Sequence, residues 1–185
     1  MGKPQFTSTP KTFPKFISDM EISSMLERAK KEGKKFSYRN YIILMTLCRT
    51  GLRVRELANL RKQDISDKTI IVRQGKGKKD RLIPIGQELS GLLGLYIDHL
   101  TPKDRVFPMT SRQLRNIVYK YAPKDLSFRV HPHTLRHSFA VHCLKSGINL
   151  RSLQKILGHG NLNTTSIYLD LVGQDVIDDF EKVNW

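Results

Sequence analysis

Hydrophobic positions in this chain fall mostly at helical spacing. Ile22, Met25, Leu26 and Ala29 recur three and four residues apart behind Ser18 and Glu21, which stand in capping-box spacing. That pattern predicts a helix running to about residue 31. Residues 38–48 predict a second, mostly buried helix, broken at Thr50-Gly51, and 53–60 a short one with Val54, Leu57, Ala58 and Leu60 inward. The period then changes to two. Residues 69–72 and 81–85 predict two strands joined by GKGKKD. Helical spacing returns over 88–100, 111–121, 134–145, 150–157, 164–171 and 176–183, with the loop PKDRVFPMT after the first and glycine stops at Gly147 and Gly158. The fold class is mainly α with a small antiparallel β-sheet (α+β). Residues 1–16 hold three prolines and predict an extended lead-in.

Composition narrows the setting. With 185 residues and 39% hydrophobic content, the chain can bury the core of one domain. No apolar run reaches the ~20 residues of a membrane helix, and the first residues lack the apolar region of a signal peptide. The expectation is a cytoplasmic protein without membrane association. Cys48 and Cys143 lie in apolar helical contexts and read as buried thiols, not as a disulfide framework.

The formal net charge is +15, which points to a polyanionic partner, nucleic acid first. The charge is uneven. RAKKEGKK (28–35) and GKGKKDR (75–81) are basic, whereas 170–182 carries Asp170, Asp175, Asp178, Asp179 and Glu181 against one lysine. An acidic stretch of this kind suits packing on protein better than on DNA.

Candidate chemistry concentrates in HPHTLRHSFAVHCLKSG (131–147). His133 and His137 have the i, i+4 spacing of helical zinc ligands. No HExxH glutamate accompanies them, and the Arg136 guanidinium projects beside them in an already cationic chain, so no metal is expected. A phosphate fits better. Pro132 suits a helix start, where backbone N–H groups and the positive dipole end lie, and His133 and Arg136 share a face at i, i+3. An arginine fork grips a phosphate in bidentate fashion, and a neighbouring histidine moves protons near neutral pH. An exposed His/Arg cluster on a capped helix is the plainer alternative, and this stretch does not decide between them.

Three further segments bear on that choice. In TGLRVRELANL (50–60), Arg53 follows a Thr-Gly break and Glu56 lies one turn on, placed to buttress it; a plain surface ion pair is the alternative. GKGKKDRLIPI (75–85) lacks the spacing of a P-loop and reads as a glycine-flanked hairpin tip presenting Lys76, with Lys78, Lys79 and Arg81 as basic DNA-contacting neighbours. LGHGNLNTTSIYLDL (157–171) sets His159 at a glycine-flanked helix end and Tyr168 on a short helix beyond a polar segment.

In this order and spacing, the residues resemble the catalytic domain of the tyrosine recombinases, the phage-integrase and Xer-like family, over nearly the whole chain from about Pro14. The resemblance assigns the family's first arginine to Arg53, the acidic residue after it to Glu56, the hairpin lysine to Lys76, the HxxR pair to His133 and Arg136, the LGH histidine to His159 and the nucleophile to Tyr168. It implies the tyrosine recombinase catalytic-domain fold and site-specific cleavage and rejoining of double-stranded DNA through a covalent 3′-phosphotyrosine, with no cofactor. The implied division is a lead-in over 1–16, a catalytic domain over 17–172 and a protomer-docking tail over 173–185, working as a tetramer on DNA. Full-length members carry an upstream helical domain that clamps the other face of DNA; here only the lead-in precedes the catalytic-domain-like start. Relaxation of DNA by a type IB topoisomerase, or a non-catalytic DNA-binding protein on the same scaffold, are the rival readings.

Overall fold

A computed structural model describes residues 14–33, 36–73 and 80–158 of the chain. Helix α1 (Asp19–Lys31) starts as the sequence predicts. The Ser18 hydroxyl accepts from the Glu21 N–H, while the Glu21 carboxylate accepts from the Ser18 N–H at 2.6 Å. Helix α2 (Ser37–Thr50) is the central post, with Ile42, Ile43, Leu44, Met45 and Leu47 all buried. It packs against α1, α4 (Gln87–Ile97), α5 (Ser111–Tyr121) and α6 (Pro132–Lys145). Gly51 closes α2 in the left-handed conformation at φ 61°, donating its N–H to the Leu47 carbonyl.

The short α3 (Val54–Asn59) follows at once, then a 3-10 turn at Lys62–Asp64. Strands β1 (Thr69–Val72) and β2 (Arg81–Pro84) pair antiparallel, with Ile70 opposite Ile83 and Val72 opposite Arg81. Ile70, Val72, Ile83 and Arg81 face inward, as two-residue periodicity requires. The last described element, α7 (Leu150–Leu157), packs on α6 and β2. Most apolar side chains join one core. Ala140, Val141, Cys143, Leu153 and Leu157 form a satellite cluster under Phe139 and Leu144.

Element boundaries differ from the sequence reading by up to three residues. The helix predicted over 88–100 ends at Ile97, and the Lys62 ammonium donates to the Asp98 and Leu100 carbonyls beyond it. Helix α6 begins at Pro132 instead of 134, because the His131 Nδ1 accepts from the Thr134 N–H and caps the helix two residues earlier. The strand predicted to reach residue 85 ends at Pro84. Helices predicted over 164–171 and 176–183, and most of the lead-in 1–16, lie outside the described residues. Cys48 and Cys143 are free buried thiols, and burial pushes them up to about 12 and about 11. No described helix is long and apolar enough to cross a membrane.

Candidate active site

Two turns and a helix start bring the candidate residues together. The sharp end of α2 at Gly51 delivers Arg53 to the first position before α3, in extended backbone at φ −70°, ψ 146°. From there the Glu56 carboxylate reaches back, accepting from the Arg53 N–H at 2.7 Å and from its Nη1 at 3.0 Å. Glu56 is not half of a surface pair. Its side chain is 15% exposed, and it also takes the whole fork of Arg81, with Nη1 to Oε1 and Nη2 to Oε2 both at 2.8 Å. Burial pushes the Glu56 carboxyl up, but the Arg81 hydrogen bonds, the Arg53 N–H and the two positive charges outweigh it and leave its pKa below the usual range.

Arg136 stands in the first turns of α6 and is 4% exposed. Its Nη1 donates to the Gly51 carbonyl and its Nη2 to the Leu157 carbonyl, each at 2.6 Å. These are carbonyls at the C-terminal ends of α2 and α7, where a helix carries partial negative charge. One guanidinium therefore ties together the turn leading to Arg53, the helix bearing His133, and the helix running into Gly158 and His159.

His133 lies on the exposed side of the same α6 turn, edge-on to His131 with ring centroids 6.1 Å apart. Loss of solvation lowers its pKa, and the charges of His131, Arg136 and Arg53 lower it further. It is thus neutral at pH 7 and able to accept a proton. His133 lies one turn before Arg136 on α6, and Arg136 in turn bonds the Gly51 carbonyl, two residues before Arg53. His137, deeper in the helix, is pushed down to about 4, first by burial and then by His133, His131 and Arg136. No group of three or more His, Cys, Asp or Glu side chains able to hold a metal occurs among the described residues.

The structure thus assembles Arg53, Glu56, His133 and Arg136. Lys76, Lys78, Lys79, His159 and Tyr168 lie outside the described residues. Arg81 requires a correction. The sequence reading grouped it with the DNA-contacting cations of the hairpin, but its side chain is 6% exposed. Its Nη groups pair with the Glu56 carboxylate and its Nε donates to the Ile156 carbonyl at 2.8 Å, so its charge is matched by a buried carboxylate instead of lying on the open basic surface. The alternation of RLIPI carried the signal: Arg81 shares the inward face with Ile83. The capping role of His131 has no counterpart in the sequence reading, which assigned that ring no role.

Comparison with known proteins identifies the family and the fold. The pattern of the phage integrase family matches residues 15–174. A tyrosine recombinase of Pseudothermotoga lettingae is 39% identical over 179 residues, covering 92% of this chain and 61% of that protein. The chain therefore spans about three-fifths of the length of the curated relative. A crystal structure of a XerA recombinase superposes with a TM-score of 0.79 at 30% identity, covering 95% of this chain and 68% of the other. The XerH site-specific recombinase, bound to a palindromic difH substrate in a post-cleavage complex, gives 0.77 at 26% identity over 95% of this chain and 55% of that one. The mainly helical fold with its two-stranded antiparallel sheet is the fold of these recombinases.

Proposed function

The chain belongs to the phage integrase family, and from that premise we propose that it is a site-specific DNA recombinase that breaks and rejoins strands through a covalent 3′-phosphotyrosine. One observation carries the reading. Arg136 joins the Gly51 and Leu157 carbonyls, holding together the turn before Arg53, the helix of the His133–Arg136 pair and the end of α7.

The chemistry is phosphoryl transfer without an external energy source. The Tyr168 hydroxyl attacks the scissile phosphate in line, forming the tyrosyl O–P bond as the bond to the 5′-oxygen breaks. His133, neutral at pH 7, takes the phenolic proton, and Lys76 donates one to the departing 5′-oxygen. Arg53 and Arg136 offset the charge growing on the non-bridging oxygens, and His159 adds a hydrogen bond. One such preorganised donor is worth about 3 kcal/mol, or roughly a hundredfold in rate. Attack by the 5′-hydroxyl of a second strand reverses the step and completes exchange. Two guanidinium groups and a lysine supply the positive charge, so the proposed reaction uses neither metal nor other cofactor.

The partner is double-stranded DNA, in keeping with a net charge of +15 and with the DNA-bound XerH relative. Lys78 and Lys79 of the hairpin contact its backbone. The catalytic domain is assigned to 17–172, with the lead-in at 1–16. The acidic segment 173–185 docks on a neighbouring protomer, so that cleavage is coupled to a tetrameric synapse in the cytoplasm. Deleting 174–185 tests this coupling, which predicts loss of higher-order DNA complexes from a folded protein; unchanged assembly and cleavage would refute it.

A suicide substrate, nicked so that the cleaved fragment diffuses away, tests the whole reading. The expected result is a covalent protein–DNA band, absent from Tyr168→Phe and persisting in excess EDTA. A band retained by Tyr168→Phe removes the nucleophile assignment, and no band with the unaltered chain removes the reading. Resolution between two sites, instead of relaxation of supercoils, separates a recombinase from a type IB topoisomerase.

A further inference from the structure

We propose that Arg81 is a positioning residue that saturates Glu56, restricts Arg53 to one side-chain hydrogen bond, and so leaves the Arg53 fork available to the scissile phosphate. The geometry stands on the structure; what the Arg53 fork then does rests on the recombinase reading.

A carboxylate offers about four acceptor positions, two on each oxygen. On Glu56 four hydrogen bonds fill them. Arg81 Nη1 and Arg53 Nη1 share Oε1 at 2.8 and 3.0 Å, while Arg81 Nη2 and the Arg53 N–H share Oε2 at 2.8 and 2.7 Å. Arg53 makes no other side-chain hydrogen bond among the described residues, and its side chain is 38% exposed, against 6% for Arg81. The bidentate bond thus belongs to the buried arginine and a single bond to the exposed one. With Arg81 gone, two acceptor positions would open beside the Arg53 guanidinium. A planar fork facing a carboxylate settles into the paired arrangement. Arg53 would then turn inward, and Glu56 would compete with the phosphate for its donors.

Arg81 is held in place from two sides. Its Nε donates to the Ile156 carbonyl, and its stem crosses Gly158 so closely that a Cβ there would lie 2.7 Å from Arg81 Cδ. It is also the first residue of β2, close behind the hairpin lysines in sequence. One side chain therefore registers the base of the Lys76 hairpin, the Arg53 helix and the end of α7 against each other. A lysine could not do this, because a single ammonium cannot span two carboxylate oxygens and a carbonyl in the geometry of a guanidinium.

Arg81→Met, which keeps the stem and removes the fork, tests the assignment on the full chain. Two readouts apply. In nitrogen-15 NMR without DNA, the Arg53 guanidinium resonances should move to the pattern of slowed rotation that a bidentate pair imposes. In single turnover at saturating nicked DNA, cleavage per folded molecule should fall about tenfold to a hundredfold, part of the loss expected when such a donor is removed outright. Adding Glu56→Gln to Arg81→Met should recover most of that loss, because the competing carboxylate is gone; a role confined to holding the fold predicts lower thermal stability with no recovery per folded molecule. If Arg81→Met does not fold, Arg81→Lys replaces it, with a smaller shift in the same direction. Unchanged Arg53 resonances in a folded variant overturn the proposal. If the unaltered chain forms no covalent adduct, the recombinase reading fails, and the Arg53 spectrum still decides the role of Arg81.

Discussion

A methyl group at Gly51 should damage both the fold and the site, by an amount the local geometry sets. Gly51 ends α2 at φ 61°, ψ 20°, and a Cβ there would lie 2.5 Å from Phe139 Cδ1, 3.1 Å from Phe139 Cε1 and 3.0 Å from Leu157 Cδ2. The left-handed backbone costs alanine about 1–2 kcal/mol, and forcing atoms into this packed contact costs about 1–3 more, so Gly51→Ala should lose about 2–5 kcal/mol. That is a large share of the roughly 5–15 kcal/mol that holds a domain together. The contact is with a ring that can be trimmed. In the Phe139→Ala background both clashing ring atoms are gone, so the same glycine substitution should cost about 1–3 kcal/mol less, while the backbone part persists. Urea denaturation followed by far-ultraviolet circular dichroism, on the four proteins of this cycle, measures each part. A Gly51→Ala protein within about 0.5 kcal/mol of the parent, or an equal cost in both backgrounds, would refute the packing argument. Because the Gly51 carbonyl is the acceptor for Arg136 Nη1, the folded fraction of Gly51→Ala should also cleave more slowly than the parent.

Other outcomes follow from the same contacts. In Arg136→Lys a single nitrogen on a shorter side chain replaces the two separate nitrogens that reach the Gly51 and Leu157 carbonyls, and the buried acceptor left over should cost about 1–3 kcal/mol in urea; an unchanged midpoint would contradict the two-carbonyl clamp. His137 is pushed from its ordinary 6.5 to about 4 by burial and by its cationic neighbours, so between those values the unfolded chain binds more protons than the folded one. Stability should therefore fall as pH drops from 6.5 toward 4, and His137→Gln should flatten that slope, whereas the lowered Glu56 carboxyl adds its own loss only below about 4.5. Lys78→Glu and Lys79→Glu should each reduce the slope of log affinity against log salt by about 1 or more, and Arg81→Met should leave it unchanged; a flattened slope in Arg81→Met would return that arginine to the DNA surface.

The sequence made the elements legible where local chemistry sets them. The capping box of α1, the Gly51 and Gly158 stops and the two-residue period of the strands all work within a few residues, and the structure follows each. What stayed hidden was set by contacts across the chain. The helix read as 88–100 ends early in a region tied by Lys62, more than thirty residues upstream. Arg136 reads as a phosphate ligand from its place in the first turn of a helix, and nothing local shows that its fork also holds carbonyls from α2 and α7. Arg81 was misread for a different reason. Its charge was weighed above its phase, although the alternation beside Ile83 and Ile85 already placed it inward. The pairing that makes such burial tolerable, with Glu56 twenty-five residues away, has no signature in the sequence.

Helix α7 has eight residues, fewer than the ~12–15 a helix needs to persist by itself in water. Its last carbonyls are taken by cations from elsewhere: Ile156 by Arg81 of β2 and Leu157 by Arg136 of α6. The final turn before Gly158 thus has its carbonyls satisfied only in the packed domain, by β2 and α6. Without that packing, Arg81 and Arg136 would lose the α7 carbonyls that help fix their guanidinium groups. Under the proposed function, strand breakage is therefore expected only of molecules in which all three elements are packed together. The sign of this dependence is amide exchange in α7 at the rate of global unfolding; exchange of its amides well ahead of the core would show the helix forming and melting independently.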